Sequence, residues 1–256
     1  MKAPIWIPLY TIVNKEMIRI FRIWTQTLLP SVITTSLYFL IFGAFVGSQI
    51  RDIEGVSYMQ FIVPGLVMMA IITNAFMNVV GSFFGAKFGK SIEELLVSPT
   101  PNWVIVWGYV IGGVVRGLVV GVLVLIISLL FTKLTIMNLW AVILFSVLTA
   151  VVFSLGGLMN AVFAKKFDHT AIVPTFVLTP LTYLGGVFYS VNALPEFWQN
   201  VSRFNPILYM VNGFRYGFFG ISDVNIAISV VLLTSLALIL SITDLILLRR
   251  GVGLRS

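Results

Sequence analysis

The sequence contains no cysteine and very few charged residues. Its 256 residues therefore lack the thiols that a disulfide, a thiolate metal site or a cysteine nucleophile requires. Charged side chains make up 10% of the chain, whereas soluble domains carry about 25%. Hydrophobic residues make up 59% of the chain, and the mean hydropathy is +1.05. This composition indicates an integral membrane protein.

Groups that support catalysis are also scarce. His169 is the only histidine, and one histidine with so few carboxylates nearby does not make a metal site. Residues 85–91 differ from a phosphate-binding loop, because three residues separate their glycines where that motif has four. Glu93 and Glu94 are adjacent, so on a helix they point about 100° apart and do not form an acid–base pair. The sequence predicts no catalytic, metal-binding or cofactor-binding residue, and it does not indicate an enzyme.

Basic residues are in excess, and most of them flank apolar segments. The formal net charge is +7 and the isoelectric point is about 9.8, which in a soluble protein would suggest nucleic-acid binding. Beside membrane spans, lysine and arginine instead orient the chain and contact anionic lipids. We therefore expect membrane lipids as partners and no nucleic acid.

The chain has six apolar runs of the length that crosses a bilayer, about 20 residues. They cover residues 28–47, 58–80, 104–131, 139–162, 171–190 and 226–248. The sequence thus predicts an all-α membrane protein with six transmembrane helices, in which residues 1–256 form a single transmembrane domain.

An even number of spans places both termini on one side of the membrane. If that side is the cytoplasm, eleven basic residues lie there, namely Lys2, Lys15, Arg19, Arg22, Lys87, Lys90, Lys165, Lys166, Arg249, Arg250 and Arg255. The opposite side then has four, namely Arg51, Lys133, Arg203 and Arg215. The positive-inside rule favours cytoplasmic termini.

Residues 5–26 precede the first span and mix apolar with charged side chains. Large apolar residues such as Trp6 and Phe21 alternate with Lys15, Glu16 and other charges. This pattern is typical of an amphipathic helix that lies in the cytoplasmic membrane interface. The alternative is a charged lead-in to the first transmembrane helix.

Residues 90–99 form a short charged segment between two spans. Ser91 is a candidate N-cap with Glu94 three residues later, which is the spacing of a capping box. Glu93 and Glu94 place negative charge at the positive end of the helix dipole, and Pro99 ends the helix. The sequence predicts a short cytoplasmic helix here.

The predicted short helix has an apolar face formed by Ile92, Leu95 and Leu96, which are spaced at i, i+3 and i+4. A helix this short is unstable alone in water. We therefore expect this face to contact another protein surface.

Residues 191–223 are too polar for a full crossing and too aromatic for an ordinary loop. One predicted helical face carries Phe197, Trp198, Val201 and Phe204. Asn205 and Pro206 break this helix, and the following piece, which includes Arg215, is too short to cross the hydrocarbon. The pattern predicts a pair of re-entrant half-helices that enter from the outside.

Arg116 lies near the centre of the third span, where a lone cation costs about 2.5–3.5 kcal/mol on insertion scales. Gly113, Gly117 and Gly121 form a stripe of small residues that permits close approach of a neighbouring helix. Arg116 either pairs within the bundle or contacts an anionic substrate or lipid headgroup. Asp244 is placed near enough to the inner end of the last span to reach the interface.

Three segments resemble a known family. Residues 178–220, which contain G-G-V-F-Y and N-P-I-L-Y, closely resemble the C-terminal signature of type-2 ABC export permeases, the membrane subunits of bacterial efflux systems. F-I-V-P-G-L at 61–66 and I-E-E-L-L-V-S-P-T-P at 92–101 also match that family. The resemblance covers nearly the whole chain.

The resemblance implies a half permease that forms a homodimer in the bacterial inner membrane and binds two copies of a separate ATP-binding subunit. ATP and magnesium would be bound by that subunit, and this chain would hold no cofactor. Residues 92–97 would be the coupling helix, and 5–26 the connecting interfacial helix. The family moves drugs, lipids, polysaccharides and other amphiphiles, and the absence of an aromatic ladder in the spans favours an apolar or amphipathic cargo.

Two other functions are considered. One is a carrier or channel driven by an ion gradient, which the lack of carboxylates in the predicted spans disfavours. Polar span residues are instead amides and hydroxyls, namely Asn74, Asn78, Asn160, Thr175, Thr179, Thr182 and Asn212. The other is a membrane scaffold whose short helix anchors a soluble partner.

Overall fold

The fold is described from a computed structural model. It describes residues 6–47, 49, 52–53 and 55–253, without the side chains of residues 44 and 46. Residue 5, which begins the predicted interfacial helix, lies outside the described residues. So do Lys2, Arg51 and Arg255, which contribute to the charge asymmetry.

The described residues are almost entirely helical, which confirms the all-α prediction. Their α-helices are α1 (Trp6–Arg22), α2 (Trp24–Thr27), α3 (Leu29–Tyr38), α4 (Tyr58–Phe88), α5 (Ser91–Val97), α6 (Asn102–Ser128), α7 (Leu139–Phe163), α8 (Phe167–Val173), α9 (Thr179–Leu184), α10 (Glu196–Arg203), α11 (Pro206–Phe219) and α12 (Ile226–Arg250). Wider π-helical turns continue α3 through Phe39–Val46 and join α8 to α9 through Pro174–Leu178, and Val191–Ala193 forms a 3₁₀ turn.

In the part of the chain that the structure describes, five helical segments are long and apolar enough to cross a membrane. They are Trp24–Gly43, α4, α6, α7 and α12. The remaining predicted run, 171–190, divides into α8, a π-helical turn and α9, and its helix ends before Gly185. Pro174 and Pro180 each remove a backbone donor from this stretch, which explains why it is not one regular helix.

Helix α4 is the most buried of the five, and α6 and α7 pack along it. Glycines make this approach close: a Cβ on Gly117 of α6 would lie 3.0 Å from Cβ of Ala75. A Cβ on Gly157 of α7 would lie 2.5 Å from the carbonyl oxygen of Phe76. The predicted role of the small-residue stripe is confirmed, because it brings α6 against the backbone of α4.

The predicted N-terminal amphipathic helix is present as α1, and it breaks at Ile23 before α2. Its buried face consists of Ile12, Glu16 and Ile20, one turn apart. Ile12 packs over Gly108 and Glu16 over Gly112, so α1 lies against α6. The burial of Glu16 differs from the expected pattern, in which its charge belongs to a solvated polar face.

Residues 191–223 contain the two short helices expected from the sequence, α10 and α11. Asn205 separates them: its Oδ1 accepts a hydrogen bond from the backbone N–H of Ile207, 3.0 Å away, and caps α11. Its Nδ2 donates to the carbonyl oxygen of Leu181 at 2.6 Å. The break is therefore held in place by α9.

Candidate functional site

Helix α5 begins at Ser91, one residue earlier than expected, because Ser91 itself was the predicted N-cap. Lys90 occupies the N-cap position in the left-handed region, at φ 59°, and forms the turn out of α4. Ser91 is already helical, and its hydroxyl donates to the carbonyl oxygen of Ala86 at 3.2 Å. The predicted capping box between Ser91 and Glu94 is wrong, because the hydroxyl is used to join α5 to α4.

The apolar face of α5 points mostly into its own chain. Ile92 is 1% exposed and belongs to an apolar cluster that also contains residues of α4, α6 and α7. Leu95 and Leu96 are half-buried at the edge of this cluster. The prediction that Ile92 contacts another protein is therefore wrong. Ile92 instead anchors the helix to its own chain. This packing explains why a helix of seven residues is stable.

The exposed side of α5 carries Glu93, Glu94 and Val97. Val97 is 88% exposed. The exposed surface of α5 is thus acidic with one apolar residue. The end of the helical bundle that carries α5 is called the α5 end below.

The end of α4, from which α5 follows, is joined to the connection between α7 and α8. Nζ of Lys87 in α4 donates to the carbonyl oxygens of Val162 and Ala164, 2.7 and 2.6 Å away, and so caps the end of α7. The rings of Phe88 and Phe167 lie 4.8 Å apart between centroids. These contacts hold the start of α8 against the end of α4, so α5 projects from a packed platform.

A polar stripe runs along α4, formed by Asn74, Asn78 and Ser82 at intervals of one helical turn. Arg116 of α6 donates from Nη2 to Oδ1 of Asn74 at 3.2 Å. Asn74 in turn donates from Nδ2 to the hydroxyl of Ser31, 3.0 Å away. Arg116 is half-buried, and its Nε has no hydrogen-bond partner among the described residues.

The second half of this stripe holds an ion pair that the sequence did not reveal. Arg19 of α1 pairs with Glu16 at 2.8 Å and donates to Oδ1 of Asn78 at 2.7 Å. Ser82 donates a hydrogen bond to the other carboxylate oxygen of Glu16. The spacing of three residues between Glu16 and Arg19 was the available signal. The cluster therefore contains two guanidinium groups, on Arg19 and Arg116, and one carboxylate.

Asp244 does not reach an interface. It is fully buried in α12, and neither carboxyl oxygen has a hydrogen-bond partner among the described residues. The expectation from its position near the helix end is wrong, because rotation of α12 turns this residue into the bundle.

Two of the three segments used for the family resemblance, 61–66 and 178–220, meet at one junction. Arg215 of α11 is 2% exposed, and its guanidinium carbon lies 3.9 Å from the ring centroid of Phe61 in α4. Its Nη2 donates to the carbonyl oxygen of Gly186 at 2.8 Å. Gly65 lies directly beneath the next residue, Val187. The junction joins α4 to the turn after α9 and to α11.

A groove of about 240 Å³ opens beside α4 between α3 and α9. Its lining consists of hydroxyl, thioether and apolar side chains, namely Tyr38, Met69, Thr73, Met77, Pro174, Thr175, Leu178, Thr179, Thr182 and Tyr183. These surfaces suit a ligand that is partly apolar and partly able to hydrogen bond.

The family model for ABC-2 type transporters matches residues 8–219, which include every helix of this junction and the α5 platform. The chain belongs to the ABC-2 type transporter family. It is 58% identical over 251 residues to the inner membrane transport permease YadH of Escherichia coli strain K12, covering 98% of each chain. It is 22% identical over 241 residues to nodulation protein J of Rhizobium leguminosarum bv. viciae, covering 91% of this chain and 92% of that protein.

Family membership and the apolar helices identify a membrane subunit of an ABC transporter that resides in the inner membrane. The ABC-2 protein is a transport subunit rather than an enzyme, and its family implies pairing with an ATP-binding subunit. The resemblance inferred from residues 61–66, 92–101 and 178–220 is thereby confirmed.

Proposed function

We propose that this ABC-2 permease is the membrane half of an ATP-driven exporter, and that it works as a homodimer with two copies of a separate ATP-binding subunit. The observation that carries the proposal is α5, which its own chain holds on a packed platform while Glu93, Glu94 and Val97 stay exposed. A helix fixed in this way transmits movement of a docked partner to α4 and α6, which it connects. ATP and magnesium are bound by that partner.

In the proposed topology the chain crosses the membrane six times, with residues 171–190 as the fifth crossing and α10 and α11 as re-entrant half-helices on the outer side. Both ends of the described chain support an even number of crossings. Ile12 packs on Gly108, near the start of α6, and Gly253 packs on Val162, near the end of α7. Both places belong to the α5 end, which supports a topology that puts α5 and both ends of the described chain on the cytoplasmic side.

The proposed docking role of α5 is tested with Val97→Asp. Because Val97 is 88% exposed, the variant keeps the permease fold. In the complex it buries an unpaired carboxylate beside Glu93 and Glu94, which is strongly unfavourable. We expect at least tenfold less ATP-binding subunit to be recovered with the permease from detergent extracts. Leu95 is a poorer choice, because its half-buried side chain also supports the permease itself.

Leu130→Asp is the matched control, since Leu130 is 83% exposed and lies after α6 at the opposite end of the bundle. It should recover as much ATP-binding subunit as the wild type at equal permease levels. Equal recovery with Val97→Asp would remove α5 as the docking element, and residues 163–169 would be the next candidate.

The proposed cargo is an amphipathic or apolar molecule. The groove beside α4 supports this assignment, because it combines apolar walls with six hydroxyl groups, those of Tyr38, Thr73, Thr175, Thr179, Thr182 and Tyr183. A long glycan would require a larger set of exposed hydrogen-bonding groups and stacking aromatic rings.

Arg116 is proposed to contact an anionic group of the cargo. Arg19 already neutralises Glu16, and the only hydrogen bond of Arg116 in the described chain goes to a neutral amide, that of Asn74. Arg116→Gln should therefore change the midpoint of thermal unfolding by less than about 2 °C, because glutamine keeps a donor for Asn74. ATP-driven accumulation of an anionic fluorescent amphiphile in inverted vesicles should fall about tenfold.

Arg116→Lys, which keeps the charge, is the control and should retain most of this transport. A decrease of the unfolding midpoint that accompanies the loss of transport would identify Arg116 as a structural pairing residue instead.

A further inference from the structure

Helix α1 has two exposed faces of different chemistry besides the face that packs on α6. One is aromatic and continues into α2: its large rings are 54–67% exposed, and they belong to Trp6, Tyr10, Phe21 and Trp24. These residues recur at 100° per residue within one sector of the helix. Tryptophan and tyrosine with this exposure are typical of the membrane–water interface.

The other exposed face of α1 is cationic. Lys15, Arg19 and Arg22 follow one another at intervals of about one turn. They line a shallow groove together with Thr11, Asn14 and Ile18. Lys15 and Arg22 are exposed, and the side chain of Arg19 is 27% exposed. The groove thus presents three cations and two uncharged hydrogen-bonding side chains.

This positive charge is not neutralised within the described chain. Glu16 is the only carboxylate of α1, it lies on the buried face, and it forms the one salt bridge found among the described residues, with Arg19. Arg19 uses only Nη2 for its hydrogen bonds to Glu16 and Asn78. Lys15 and Arg22 have no acidic partner there.

We propose that the groove formed by Lys15, Arg19 and Arg22 binds the phosphate of an anionic phospholipid headgroup, while the aromatic face of α1 lies at the boundary of the acyl chains. Guanidinium and ammonium groups match phosphate in charge and hydrogen bonding. An amphipathic helix with one aromatic and one cationic face binds to anionic membrane surfaces for the same reason. The site requires only that the chain resides in a membrane, so it is independent of the proposed ATP-binding partner.

The test uses the permease purified without an ATP-binding subunit. Short-chain phosphatidylglycerol is titrated into the detergent-solubilised protein, and the midpoint of thermal unfolding is followed at each concentration. The wild type should be stabilised by several degrees, whereas phosphatidylcholine of the same chain length should have little effect. In the double variant Lys15→Gln and Arg22→Gln, the half-saturating concentration of phosphatidylglycerol should rise about thirtyfold, since each cation near an anionic surface contributes about 1 kcal/mol.

The double variant Lys165→Gln and Lys166→Gln is the matched control. These two exposed lysines also lie at the α5 end, and their replacement removes the same amount of charge. This variant should bind phosphatidylglycerol like the wild type. The single variants Lys15→Gln and Arg22→Gln should each weaken binding about fivefold, which keeps the test valid if the double variant folds poorly.

Three results would overturn the proposal. The first is that the variants lacking Lys15 or Arg22 bind phosphatidylglycerol with the same affinity as the wild type. The second is equal stabilisation of the wild type by inorganic phosphate, which would indicate a site for a free anion. The third is unchanged lipid binding together with lost recovery of the ATP-binding subunit, which would assign the cationic face to an acidic surface of that protein.

Discussion

Glu16→Ala should lower the free energy of unfolding of the permease by about 3–5 kcal/mol, the usual cost of removing one partner from a buried ion pair. The variant leaves Arg19 largely buried and without its only salt-bridge partner in the described chain. It also leaves the hydroxyl of Ser82 without its acceptor, and Arg116 contacts Asn74 of the same polar stripe. The loss is measured by thermal or denaturant unfolding of the purified protein in detergent.

Two controls separate the ion pair from general damage to α1. Lys15→Ala replaces the exposed neighbour of Glu16 and should change stability by less than about 0.5 kcal/mol. Glu16→Leu combined with Arg19→Leu removes both charges, and it should recover much of the lost stability, because an apolar pair is not penalised for missing partners. A Glu16→Ala protein as stable as the wild type would show that Arg19 is satisfied by water instead.

Gly65→Ala should have the second large effect, since the new methyl group would lie 2.6 Å from the carbonyl oxygen and 2.8 Å from Cα of Val187. Both are backbone atoms, so the turn after α9 has to move. We expect a loss of about 1–3 kcal/mol in stability. The shift would also displace Gly186, whose carbonyl accepts from Arg215, and therefore loosen the junction between α4 and α11.

Gly81→Ala is the control in the same helix, because nothing lies within 4 Å of a Cβ at that position. It should be neutral or stabilise the protein by up to about 1 kcal/mol, the difference in helix propensity between the two residues. Unfolding midpoints of the two variants are compared under identical conditions. Equal midpoints would mean that the turn after α9 accommodates a methyl group without strain.

The sequence alone determined the elements whose cause is local. Long apolar runs predict α4, α6, α7 and α12, because membrane-spanning length and hydropathy depend only on neighbouring residues. Asn205 and Pro206 predict the separation of α10 from α11 for the same reason, since a proline lacks the backbone donor that a continuous helix needs. The resemblance of three segments was also sufficient to assign the family.

Only the tertiary structure decided which way the side chains face. The charge and sequence position of Glu16 and Asp244 predict an interfacial location for both. Both are buried, because packing of α1 and α12 sets the rotation of these helices. Ile92 has the spacing of a docking face but is covered by its own chain, so the exposed surface of α5 is Glu93, Glu94 and Val97. Helical periodicity shows which residues share a face; contacts between residues distant in sequence determine what that face meets.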